Sequence, residues 1–161
     1  MIMGVAMADL HEELSQSAAE FSRALRKLAT AIDADISAVV RNSVLRAFRN
    51  VVKRSPVDTG AYRGSHGIAN FEPSDTQDAK KAKKGETVPP ATAKGWTWQV
   101  GDGDIWMYNN VPYAERIENG WSHTKAPQGV YRMAIPEITQ FINQELAKIP
   151  GFEPIGGGGE E

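Results

Sequence analysis

The sequence predicts an α+β domain: a long N-terminal amphipathic helix packed on a small antiparallel sheet, with a short C-terminal helix closing the fold. Three observations carry this prediction. No glycine or proline lies between Val5 and Ser55, apolar residues in that stretch recur every three or four positions, and the chain beyond it alternates short apolar runs with turn residues.

The long helix is expected over residues 9–54. Asp9 is placed to cap the first turn, with Glu12 in the capping-box position and Glu13 adding negative charge at the positive end of the dipole. Leu10, Leu14, Phe21, Leu25, Leu28 and Ile32 form one stripe; Ile36, Val40, Val44, Phe48 and Val52 continue it in steps of four. Steps of four drift around a helix that repeats every 3.6 residues, so the second stripe cannot hold one coiled-coil seam. The stretch reads as one helix, or as two with a bend near residues 31–35. At 1.5 Å per residue it spans on the order of 60 Å, more than a small domain can cover, so part of its apolar face is expected to need a partner chain.

Ser55-Pro56-Val57-Asp58-Thr59-Gly60 ends that helix: proline disfavours helical geometry before it, and Asp58 and Gly60 suit a turn. Residues 61–71 read as a strand, in which Gly64 and Gly67 suit a bulge or a close backbone approach. Residues 72–94 read as a polar loop holding Lys80-Lys81-Ala82-Lys83-Lys84, either mobile or ordered against another subunit. Asp102-Gly103 signals a type I′ hairpin. Its register puts Trp96, Trp98, Val100, Ile105 and Met107 on one face, with Thr97, Gln99, Trp106 and Tyr108 on the other. The sheet region runs over 57–134. A short helix over 114–118 stopped by Gly120, a strand over 130–134, and a helix over 136–148 with Pro136 in its first turn complete the domain. Residues 1–8 read as a flexible N-terminus, 9–150 as a single domain, and 151–161 as a flexible Gly-rich acidic tail.

Composition narrows the function. At 161 residues, 41% apolar and 24% charged, the chain fits one folded domain and not a disordered one. A net charge of −2 gives no molecule-wide pull toward nucleic acid or anionic lipid. With no cysteine, disulfides, thiolate zinc sites and a cysteine nucleophile are excluded. No run reaches the roughly 18 apolar residues of a membrane span. Met1 to Met7 is mildly apolar but lacks a basic leader and is followed by acids, which makes a poor secretion signal.

The search for chemistry returns no catalytic constellation, no cofactor site and no metal site. His11, His66 and His123 lack ligand spacing. The adjacent pairs Ser65-His66 and Ser122-His123 would not face each other in a strand. Glu115 and Glu118 share a face of a short helix, where a solvated or intersubunit ion pair is the ordinary reading of two carboxylates. For nucleic acid, Arg46, Arg49 and Lys53 recur at helical spacing, and Lys80, Lys81, Lys83 and Lys84 cluster in the loop; these are the DNA-facing candidates, against a reading as solvated surface. Trp106, Tyr108 and Trp121 are the aromatic candidates for an interface.

Three segments, in order, resemble the tail-completion (neck, or minor tail) proteins of tailed double-stranded DNA bacteriophages. They are Ser55-Pro56-Val57-Asp58-Thr59-Gly60-Ala61-Tyr62-Arg63-Gly64-Ser65, then Asn109-Asn110-Val111-Pro112-Tyr113-Ala114 through Ile117-Glu118-Asn119-Gly120, then Ala126-Pro127-Gln128-Gly129-Val130-Tyr131-Arg132-Met133-Ala134. The resemblance covers about residues 36–148, and residues 1–35 extend beyond it. It implies a virion structural protein without enzymatic activity, assembled in the host cytoplasm into a ring, expected to be six-fold, between connector and tail tube. Implied partners are like subunits and neighbouring neck and tail proteins (connector or stopper, tail terminator or tube), with non-specific contact to genomic DNA in the channel and none to membrane. The structural and interface residues on these segments are Pro56, Asp58, Gly60, Arg63, Pro112, Tyr113, Glu118, Gly120 and Arg132. Asp58 is expected to bond its own turn with Arg63 as partner, and Glu118 to pair with Arg132. The competing function is a DNA-contacting module using Arg46, Arg49, Lys53 and the Lys80-Lys84 loop.

Overall fold

The computed structural model describes residues 7–73 and 80–151, with side chains of the first helix described from Ala19 onward apart from Ala24, Leu28 and Ala29. The side chains of the capping candidates Asp9, Glu12 and Glu13, of His11, and of Leu10, Leu14 and Leu28 therefore lie outside those described, and residues 1–6 and the tail beyond Gly151 lie outside the described residues. The architecture is mixed helix and sheet, as the sequence predicts. Its order is α1 (Met7–Arg54), α2 (Ala61–Gly64), β1 (His66–Asn70), β2 (Ile105–Asn109), α3 (Ala114–Glu118) and α4 (Tyr131–Leu146).

α1 is one continuous helix of 48 residues, about 72 Å long, and not two helices. Helix is already formed at Met7, so Asp9 sits inside the first turns and not at the cap, and residues 7–8 are helical. Lys53 and Arg54 occupy the last turn, where cations suit the dipole, and Pro56 forbids another turn.

The predicted strand over 61–71 splits. Its first four residues make a helical turn, α2, entered through Gly60 at φ 81°, and only His66–Asn70 is extended. Segment 87–91 forces this: Val88 N–H donates to Thr59 O (2.9 Å) and Ala91 N–H to Arg63 O (3.1 Å). A Cβ on Gly64 would stand 2.4 Å from the Val88 side chain, so the close approach expected at this glycine is real. The described part of the polar loop is thus held against its own chain at Lys80, Val88 and Ala91, an arrangement the sequence reading did not include.

The Asp102-Gly103 hairpin does not form. β2 pairs antiparallel with β1 instead, His66 opposite Asn109 and Asn70 opposite Ile105. A type I′ turn needs positive φ at both central residues. Among the described non-glycine residues only Phe71 has one, so Asp102 cannot supply it. The reversal lies earlier, with Asp102 N–H donating to Gln99 O (2.9 Å). The 96–100 segment is held from outside: Arg41 Nη1 donates to Trp98 O (3.0 Å), Val100 N–H to Ser37 Oγ (3.0 Å), and Asn70 Nδ2 to Thr97 O (3.0 Å).

α3 and its Gly120 stop (φ 85°) lie where expected. The strand predicted over 130–134 is the first turn of α4, which begins before Pro136 and contains it. The reason is Glu118. Its carboxylate accepts the N–H groups of Val130 (2.8 Å), Tyr131 (3.0 Å) and Arg132 (2.7 Å), which would otherwise be orphans of a helix start. Gly129, at φ 80°, admits the carboxylate, for a Cβ there would lie 2.6 Å from it.

The core forms two clusters on either flank of α1. Val51 joins Tyr62, Val111, Ile117, Ala126, Val130 and Ala134; Phe48 and Val52 join Ala91, against half-buried Ile68 and Met107. The helix-on-sheet packing expected from sequence is therefore half of the arrangement. α4 runs antiparallel along another face of α1, with Glu137 held by Arg54 and Asn50, and Gln144 by Arg46 (2.7 Å).

Candidate functional site

The buried histidine gathers several polar groups around it. His66 meets Ser55 Oγ through Nε2 (2.6 Å) and Tyr131 Oη through Nδ1 (2.6 Å), with Asn109 Nδ2 3.2 Å from Nδ1. A serine, a histidine and a third group in hydrogen-bond reach is the geometry of an activated nucleophile. The protons say otherwise. The Ser55 hydroxyl has a backbone acceptor, Val51 O at 2.7 Å, and Asn109 Nδ2 also serves Tyr62 O at 2.8 Å. One assignment satisfies every atom: Nε2–H donates to Ser55, Ser55 donates to Val51, and Tyr131 and Asn109 donate to bare Nδ1. The imidazole then donates to the serine and cannot take its proton. Burial supports this neutral form by pushing the His66 pKa down to about 4, and it raises those of Tyr62 and Tyr131. Ser55 and His66 are both buried, so the group is a tie between α1, β1, β2 and α4. Sequence reading missed it because its members come from four separated elements.

Exposed surface is the better candidate. Along α1, burial begins at Ser37 and continues through Val39, Ser43, Val44, Ala47, Phe48, Val51 and Val52. Before it, Phe21 (65% exposed), Leu25 (50%) and Ile32 (38%) face solvent. Over residues 19–36, about 26 Å of helix, no described side chain is buried.

The remaining predicted site residues fall on several surfaces. Pro56, Asp58 and Gly60 border a cavity of about 140 Å³ with Tyr62, Tyr113 and Ile117. Asp58 is exposed, and the Ala61 amide goes to Thr59 Oγ1 (3.3 Å), so the expected Asp58 turn is made by its neighbour. Pro112 and Tyr113 share a depression of about 450 Å³ with Lys80 and Lys81. Trp106 is exposed with its indole N–H on Phe71 O (2.8 Å), while Tyr108 is half-buried. Trp121 is exposed beneath the Arg116 guanidinium, 4.8 Å from its ring, near Gly120 and His123. Glu118 binds the Arg132 backbone and not its guanidinium, which corrects the expected ion pair; among the described residues the ion pairs are Arg54–Glu137 and Lys148–Glu145.

The cations separate. Arg46 is engaged by Gln144 and by the Phe141 ring, 4.0 Å from its centroid. Lys80 and Lys81 lie beside Tyr113, and Lys83 and Lys84 are exposed. Arg49 and Lys53 instead converge with Arg63 and Lys94, which the sequence did not join to them, on a groove of about 630 Å³ floored by Leu45, Phe48, Val52 and Ala91. The Arg63 Nε is buried without a hydrogen-bond partner.

Among the described residues no three histidine or acidic side chains gather as a metal site, and no helix is long and apolar enough to cross a membrane. No family model, curated protein or solved structure matches this chain.

Proposed function

We propose that this chain is a structural protein of the tailed-phage neck, without enzymatic activity, that joins head to tail by assembling with copies of itself into a ring between connector and tail tube. The observation that carries the reading is the uncovered stretch of α1. Burying side chains such as Phe21, Leu25 and Ile32 is worth about 1.5–3 kcal/mol each before the cost of association is subtracted. A rod that projects from one side of a small body meets a different surface on its neighbour, and such head-to-tail contacts close into rings when the rotation per subunit divides a full turn. The resemblance of residues 36–148 to tail-completion proteins supplies the setting, the virion neck. Particles made without the chain are expected to carry filled heads and defective tail joining, seen by electron microscopy; normal infectious tailed particles would contradict the reading.

The second reading, a DNA-contacting module, draws on the convergence of Arg49, Lys53, Arg63 and Lys94. It requires an affinity whose logarithm falls linearly with the logarithm of salt. The apolar groove floor and the separation of these cations from Lys80 and Lys81 make it the weaker reading.

A further inference from the structure

We propose that the basic groove on α1 receives the acidic C-terminal segment, residues 152–161, of a neighbouring copy of this chain. The inference rests on the assembly reading above and names what one of the contacts between copies is.

The groove asks for an occupant of mixed character. Its floor is apolar, and its rim carries Arg49, Lys53, Arg63 and Lys94 with no acid among the lining residues. The buried Arg63 Nε lacks an acceptor, a state that costs free energy until an anion or carbonyl reaches it. A nucleic-acid backbone would satisfy the cations but would leave the floor of Leu45, Phe48 and Val52 wet. Segment 152–161 has both parts: Phe152 and Ile155 as apolar anchors, and Glu153, Glu160 and Glu161 as charge. It carries no cation.

Reach selects a second copy. α4 meets α1 through Arg46, Asn50 and Arg54, whereas the groove uses Leu45, Arg49 and Val52, on a different side of the helix. α4 runs antiparallel to α1, and Glu145 already lies beside Asn42, so the chain leaves heading away from residues 45–53. To enter its own groove the segment would have to turn back along α1 and around it, whereas a neighbour's groove asks for no such reversal.

The chain has no cysteine, so every disulfide joins engineered positions, and each single-cysteine protein oxidised alone gives the background of like-with-like dimers to subtract. Thr92→Cys protein, full length, is mixed with Ile155→Cys protein and oxidised, and the mass of the unmodified chain is measured separately by light scattering. A covalent dimer in the mixture is expected, abolished by Arg49→Glu with Lys53→Glu and formed about tenfold more slowly with Phe152→Ala. Failure to trap a dimer while the unmodified chain still assembles would overturn the groove contact and leave the assembly reading standing. A monomeric unmodified chain would overturn the assembly reading itself. Trapping within one Thr92→Cys/Ile155→Cys chain, in place of between chains, would overturn the second-copy assignment. Protection of the groove by duplex DNA with no trapping would assign it to nucleic acid and overturn the proposal.

Discussion

At the scale of single residues, two polar side chains hold the elements together, and each makes a sharp prediction. His66 is neutral in the fold because protonation would put a charge among buried groups that already donate to Nδ1. Its pKa is lowered from 6.5 to about 4, so between those values the unfolded chain takes up a proton that the folded chain refuses. Stability is therefore full above about pH 7 and falls as pH drops through this window, by about 3 kcal/mol from this group. The imidazole resonances of His66 should stay fixed down to about pH 5 in an NMR titration; a midpoint near 6.5 would contradict the assigned network. Glu118 is the second case. Glu118→Gln keeps one acceptor oxygen, loses the charge and turns an N–H donor toward three backbone donors. Denaturant unfolding should show a loss of roughly 2 kcal/mol. An unchanged midpoint would mean that the cap contributes nothing. Neither role was legible beforehand: the sequence shows Glu118 beside Glu115 and Ser65 beside His66, but not what stands across from them.

Secondary structure was legible where its cause is local. α1 follows from fifty residues without a breaker, and α3 from a short helical turn stopped by Gly120. The two faces of 105–109 also follow, with Met107 inward and Trp106 outward. What failed was pairing. Asp102-Gly103 is a strong local signal, yet Gly103 here lies under the Phe71 ring, whose atoms would stand 2.7–2.8 Å from a Cβ. The ladder was claimed by β1, far away in sequence, and no window of ten residues contains that fact. At 130–134 the opposite error arose. Val130, Ala134, Ile138 and Phe141 already keep a helical spacing, but Pro136 drew the start of the helix to itself. Since Pro136 sits inside α4 and lacks the N–H owed to Arg132 O, Pro136→Ala should stabilise the protein by about 1 kcal/mol or more in thermal unfolding. A destabilised variant would show that the helix uses the distortion the proline imposes.

On the scale of the whole molecule, the imbalance between helix and body is the feature on which the proposed assembly rests. The C-terminal half of α1 is wedged between two apolar clusters, and the N-terminal half carries Phe21, Leu25 and Ile32 into solvent. This much was legible, because a stretch without breakers has a length, and a small sheet has a width. The groove was only half legible: Arg49 and Lys53 stand at helical spacing in the sequence, while Arg63 and Lys94 join them only through the path of segment 87–94. The central claim is that exposed apolar α1 surface drives assembly. Light scattering over a wide concentration range tests it most directly, on the unmodified chain and on Phe21→Glu with Leu25→Glu. Multiples of the 17.6 kDa chain mass are expected, collapsing to one chain in the variant. A single-chain mass for both proteins at every concentration would contradict it.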